Sequence, residues 1–121
     1  MKVQKKQESE MSLDSQRVTD KLLQEITSRV VKALAPERVI IFGSYAEGRA
    51  TLDSDLDLLV ITERPLSLKE RLMRTQGIFR DPFIPVQVIT LSRQRFEETR
   101  DVIGGIAYPA SKYGRIIYEK S

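Results

Sequence analysis

Gly43-Ser44-Tyr45-Ala46-Glu47-Gly48-Arg49-Ala50-Thr51-Leu52-Asp53-Ser54-Asp55-Leu56-Asp57 lies between two apolar runs, Val39-Ile40-Ile41-Phe42 and Leu58-Leu59-Val60-Ile61. The pattern predicts a strand, a Gly-Ser turn, a polar connection and a second strand carrying two acids. Side chains along a strand repeat with period two, so Asp55 and Asp57 face the same way. Carboxylates crowded on one face repel unless something positive sits between them. A hard cation with oxygen ligands, Mg²⁺ above all, suits such a pair, because it binds one or two carboxylates together with substrate phosphates. Gly43 lets the backbone approach a ligand closely, and N–H groups at a following helix start favour an anion. A phosphate grip beside a metal pair suggests phosphoryl or nucleotidyl transfer. The bland alternative is a turn with a solvated acidic patch.

The 121 residues suffice for one domain, and a hydrophobic fraction of 40% with 31% charged residues is that of a soluble chain with one core. No apolar run approaches the length that crosses a bilayer, and the first ten residues lack a secretory signal, so a cytoplasmic location is expected. With no cysteine and no histidine, thiolate chemistry, the usual zinc sites and His-based acid–base catalysis are excluded. Any metal site must be built from carboxylates. A net charge of +3 fits a polyanion such as RNA, a protein that handles ATP, or neither.

Residues 1–11 read as a mobile polar tail and residues 12–121 as the domain. Leu22, Leu23, Ile26, Val30, Val31 and Leu34 recur at helical spacing, with Ser12 available as a cap and Pro36 as the stop. Strands are expected at 38–42 and 56–62, with a short helix at Ser44–Glu47 between them and Asp53 and Ser54 bracing the turn. Ser67-Leu68-Lys69-Glu70 reads as a capping box opening a helix to about Phe79, with Leu68, Leu72, Met73 and Phe79 inward. A third strand follows over Ile84–Leu91, then a helix capped by Ser92 and containing Phe96, a break at Gly104-Gly105 and a short helix over Ile106–Tyr113. Gly114 is placed for a left-handed cap, and Arg115–Glu119 for a final edge strand. The fold class is α/β (α+β): a mixed sheet of about four strands with helices mainly on one face. The expected core is Leu23, Ile26, Val30, Ile40, Phe42, Leu58, Val60, Leu72, Val86 and Val88.

Gly43-Ser44 followed after ten residues by Asp55-x-Asp57 resembles the signature of polymerase-β-type nucleotidyltransferases. The wording GSYA…SDLDLLV is most similar to their minimal members (MNT), partners of HEPN-domain proteins in toxin–antitoxin pairs. The resemblance implies ATP as substrate, held at Gly43 and Ser44, with Mg²⁺ ions, two in the family pattern, on Asp55 and Asp57. Arg49 lies two residues beyond the arginine position of the pattern, where Glu47 stands, and is a candidate for substrate phosphate. A third carboxylate usually lies on the neighbouring strand; that position falls on Gln87, whose amide oxygen ligates without charge. Asp81, Glu97 and Glu98 are nearby acids without the expected spacing.

Two functions follow. One is adenylyl transfer from ATP to a hydroxyl, on a tyrosine of a HEPN-type partner. The other is an antitoxin that binds its partner without chemistry. Transfer to a small molecule and RNA tailing are weaker readings, because a substrate domain and an aromatic-basic surface are missing from the pattern.

Overall fold

The computed structural model describes residues 19–51, 54–80 and 85–121. Helix α1, Asp20–Leu34, starts at Thr19, whose hydroxyl accepts from the Leu22 N–H at 3.1 Å, and buries Ile26, Val30 and Leu34 along one stripe. It ends on Ala35 in the left-handed conformation, one residue before Pro36. The expected cap Ser12 and the residues 1–11 lie outside the described residues.

Strands β1, Arg38–Phe42, and β2, Leu56–Thr62, are the two apolar runs, as expected. Strand β3, Val86–Ser92, starts later than expected; its anticipated first residue Ile84 lies outside the described residues. With β4, Arg115–Glu119, these form one sheet in the order β3-β2-β1-β4. The β1 pairings with β2 and β4 are antiparallel and the β2–β3 pairing is parallel, so the sheet is mixed.

Near-continuous apolar strands imply cover on both faces, and that is the arrangement found. Val39, Ile41, Leu56, Leu58 and Val60 pack on α1. Ile40, Phe42, Leu59 and Ile61 pack on Phe96 of α3, Arg93–Thr99, and on Ala107 and Ala110 of α4, Ala107–Tyr113. The sequence reading put the helices mainly on one face; they are shared between two.

Helix α2, Leu68–Arg74, has the expected capping box, with the Glu70 N–H on Ser67 Oγ at 3.0 Å and the Ser67 N–H on Glu70 Oε1 at 3.3 Å. It stops well short of Phe79. Gly77, at φ +74°, closes the turn that follows. Leu68, Leu72 and Met73 do not point inward: they are 62%, 54% and 65% exposed, so Leu72 is no core residue. Phe79 does pack against the core, and so do Leu23, Val86 and Val88, each partly buried.

The left-handed cap expected at Gly114 is also absent, since its φ is −84°. Glycine is required there by space: a Cβ would strike the Ala110 carbonyl and lie 2.7 Å from Ile40 Cγ2. Among the described residues no helix is long and apolar enough to cross a membrane.

Candidate active site

The β1–β2 pairing sets Phe42 opposite Asp57, so the chain leaving β1 turns directly beside the acid. The expected helix at Ser44–Glu47 is instead a tight turn over 43–48. Gly43 and Gly48 bound it at φ +76° and +73°, leaving too few residues between them for a helix. It is closed by Glu47 N–H to Gly43 O at 3.1 Å, Gly48 N–H to Tyr45 O at 3.4 Å and Arg49 N–H to Ser44 O at 2.8 Å. Tyr45 and Ala46 pack against the α1-side core and fasten the turn to the sheet. The sequence reading missed that anchor. An aromatic–alanine pair inside an otherwise polar loop was its signal.

Gly43 is pressed against Asp57. A Cβ built on it would lie 2.5 Å from Asp57 Oδ2, so only glycine leaves the carboxylate where it is. Asp57 is the second residue of β2 and partly buried, while Asp55 precedes the strand and is exposed. Ser54 braces the approach: the Thr51 N–H donates to Ser54 Oγ at 2.8 Å and the Ser54 N–H to Thr51 O at 3.1 Å. Asp53 lies outside the described residues.

Burial first, and the charge of Asp55 second, push the Asp57 carboxyl above its ordinary value. In the parallel β2–β3 register Asp57 is the partner of Gln87, and register partners turn their side chains to the same face. Two carboxylates and an amide oxygen are hard donors that fit a divalent cation such as Mg²⁺. Among the described residues no third acid joins them.

Arg49 is in ion-pair contact with Glu47, at 3.2 Å, on the rim of the turn and largely exposed. Glu97 and Glu98 are at the other end of the sheet: Glu97 shares a cleft with Arg38 and Ile61, and Glu98 lies near Leu91 and Ser92. Neither reaches the Asp57 end. Asp81 lies outside the described residues. A groove of about 590 Å³ between α1 and β4 includes none of the site residues.

Comparison with known structures gives the same fold. A candidate nucleotidyltransferase of Sulfolobus solfataricus superposes with a TM-score of 0.63 at 22% identity, over 93% of this chain and 91% of that one. A toxin–antitoxin complex with AMP-PNP gives 0.61 at 17% identity, over 81% and 73%. An MNT antitoxin complex with a tri-AMPylated HEPN toxin of Shewanella oneidensis gives 0.51 at 18%, over 80% and 72%. No curated protein matches. Residues 20–107, from α1 through β3 to the start of α4, match the nucleotidyltransferase domain, and the chain belongs to the nucleotidyltransferase domain family.

Proposed function

We propose that this protein is a Mg²⁺-dependent nucleotidyltransferase that moves an adenylyl group from ATP to a hydroxyl on a HEPN-type partner, serving as that partner's antitoxin. The observation that carries the reading is the close approach of Gly43 to Asp57, because it sets the Gly-Ser turn directly beside one of the two acids. The fold shared with nucleotide-bound and AMPylated toxin–antitoxin complexes supports the choice of nucleotide and partner. The reading places the reaction in the cytoplasm, where ATP is plentiful.

In this scheme the N–H groups of Ser44, Tyr45 and Ala46, which take no part in the bonds closing the turn, hold triphosphate oxygens, and the Ser44 hydroxyl adds a further donor. Arg49 exchanges Glu47 for phosphate when nucleotide binds. Asp55 and Asp57 would hold Mg²⁺, with the Gln87 amide oxygen beside them. A bound Mg²⁺ offsets the negative charge that develops on the transferred group and the leaving pyrophosphate. The acceptor oxygen bonds to the α-phosphorus and the bond from α-phosphorus to the bridging oxygen breaks. Pyrophosphate departs with that electron pair, and the acceptor proton passes to water at the exposed, Asp55 side of the site.

The test is the intact mass of a HEPN-type partner incubated with Mg-ATP and this protein. A gain of adenylyl units, lost with Asp57→Asn, is expected; transfer undiminished in both Asp55→Asn and Asp57→Asn would refute the metal assignment. One observation favours a second reading. Gln87, not an acid, is the register partner of Asp57, which lowers the charge of the site and spares nucleotide binding more than chemistry. A partner that stays bound with unchanged mass would identify an antitoxin acting by contact.

A further inference from the structure

Strand β3 is at one edge of the sheet, and its outer side is a row of backbone groups. Its inner side meets β2, where the Leu56 N–H donates to Pro85 O at 2.9 Å. In a parallel ladder the groups of alternate residues point to opposite sides. Gln87, Ile89 and Leu91 thus turn theirs toward β2, while Val86, Val88 and Thr90 turn theirs outward. Arg71 bears this out, because its Nη1 donates to Val88 O at 3.2 Å, a bond that only an outward carbonyl can accept.

That outward row opens on a groove of about 530 Å³ between β3 and the α2 segment, lined by Leu66, Leu68 and Arg71 as well as by the strand. Leu68 and its helix neighbours Leu72 and Met73 are largely exposed. The charge beside the groove is basic. Lys69, Arg71 and Arg74 are on α2, whose acid Glu70 is engaged by Arg64 at 2.9 Å and Arg74 at 3.7 Å.

We propose that the edge of β3, uncovered among the described residues, docks an extended, acidic segment of a partner protein, which adds to the sheet as a further strand. The segment's N–H takes over Val88 O, and the released Arg71 guanidinium pairs with a carboxylate of the segment. Strand side chains alternate. The face turned to α2 therefore carries the acid and apolar side chains against Leu66 and Leu68. The other face lies beside Gln87, on the side of Asp57. Strands are spaced about 4.8 Å apart, so a residue opposite Gln87 is roughly 10 Å from Asp57, within reach of a tyrosine side chain that meets a bound nucleotide. This last step, delivery of the acceptor hydroxyl, rests on the transferase reading above; the docking does not. A second copy of this chain is a poorer occupant, because pairing two β3 edges would bring two basic α2 segments together.

The probe is the synthetic peptide Val-Thr-Glu-Tyr-Val-Thr-Val, added to the ¹⁵N-labelled full chain without nucleotide. Shifts and at least about tenfold slower hydrogen exchange are expected at the Val86, Val88 and Thr90 amides. Replacing the peptide's glutamate by lysine should weaken binding about tenfold, and Arg71→Glu should reverse that preference. Methylation of the peptide's alternate ladder N–H groups should abolish binding. Unperturbed Val86, Val88 and Thr90 amides, indifference to methylation, or equal protection without peptide that rises with protein concentration (a second copy) would each overturn the proposal. Docking as described with no adenylyl transfer to the peptide's tyrosine under Mg-ATP would support the surface and count against the transferase reading alone.

Discussion

Gly43 and Gly48 form a matched pair for testing the site. Both have positive φ, +76° and +73°, but a Cβ at Gly48 meets nothing within 4 Å, whereas one at Gly43 lies 2.5 Å from Asp57 Oδ2. Gly48→Ala therefore bears only the left-handed backbone strain, about 1 kcal/mol. Gly43→Ala bears the same strain and must also displace the Asp57 carboxylate, roughly a further 1 kcal/mol. For a chain of 121 residues these convert to losses in melting temperature of about 4 °C and about 8 °C. The double variant Gly43→Ala/Asp57→Ala should lose only the backbone share relative to Asp57→Ala, because the obstacle is gone. The assay is thermal denaturation of all four variants, paired with calorimetric titration of Mg-ATP. Gly43→Ala should weaken nucleotide binding at least about tenfold, since its methyl group occupies the space between turn and acid. Equal melting points for the two alanine variants, with unchanged nucleotide binding in both, would refute the idea that turn and carboxylate share one site.

Gln87→Asp sets a third carboxylate beside Asp57. It should lower the melting temperature in EDTA by a few degrees, about 1 kcal/mol of like-charge repulsion, and regain it in millimolar Mg²⁺; a Mg²⁺-independent melting point would show that residue 87 does not face the acids. Gly114→Ala should destabilise by about 1–3 kcal/mol through overpacking against the Ala110 carbonyl and Ile40, despite an ordinary φ, as read by urea denaturation. The Arg64 hydrogen bond first, and the Ser67 N–H second, lower the Glu70 carboxyl to about 2. Its folded-state value is below the unfolded one, so its support of α2 is complete above about pH 4.5 and is lost as pH falls toward 2. Hydrogen exchange of the Leu68–Arg74 amides should follow that window and be flat in Glu70→Gln.

Much of this arrangement is legible in the sequence because several local signals agree. Val39–Phe42 and Leu58–Ile61 are too apolar to be anything but buried strands, and the Ser67–Glu70 and Ser92 caps mark helix starts from side-chain chemistry alone. What fails is whatever depends on docking. Leu68, Leu72 and Met73 have helical spacing, yet among the described residues a seven-residue helix beside an edge strand finds no layer above it to bury them. Gly114 looks like a cap from its position after Tyr113; the crowding of the Ala110 carbonyl and, from a strand distant in sequence, of Ile40 and the Ile41 carbonyl is what requires glycine. The acids and Gly43 are readable from spacing. The resemblance implies that Gln87 stands at the third-ligand position, and the β2–β3 pairing adds its register opposite Asp57.

That register also bears on how the site would divide binding from chemistry. Two carboxylates balance one divalent cation. A third would leave an excess charge and call in a second ion, the one that in two-metal transfer lowers the acceptor's proton affinity. In the proposed transferase, with a neutral amide in its place, Asp55, Asp57 and the Gly43 turn would still hold the first cation and the triphosphate it accompanies. What is lost is help in activating the acceptor hydroxyl. A phenol tolerates that loss better than an alcohol does, because its unperturbed pKa is about 10. The acceptor most compatible with this site is therefore a tyrosine, and serine or threonine at the same place should react far more slowly.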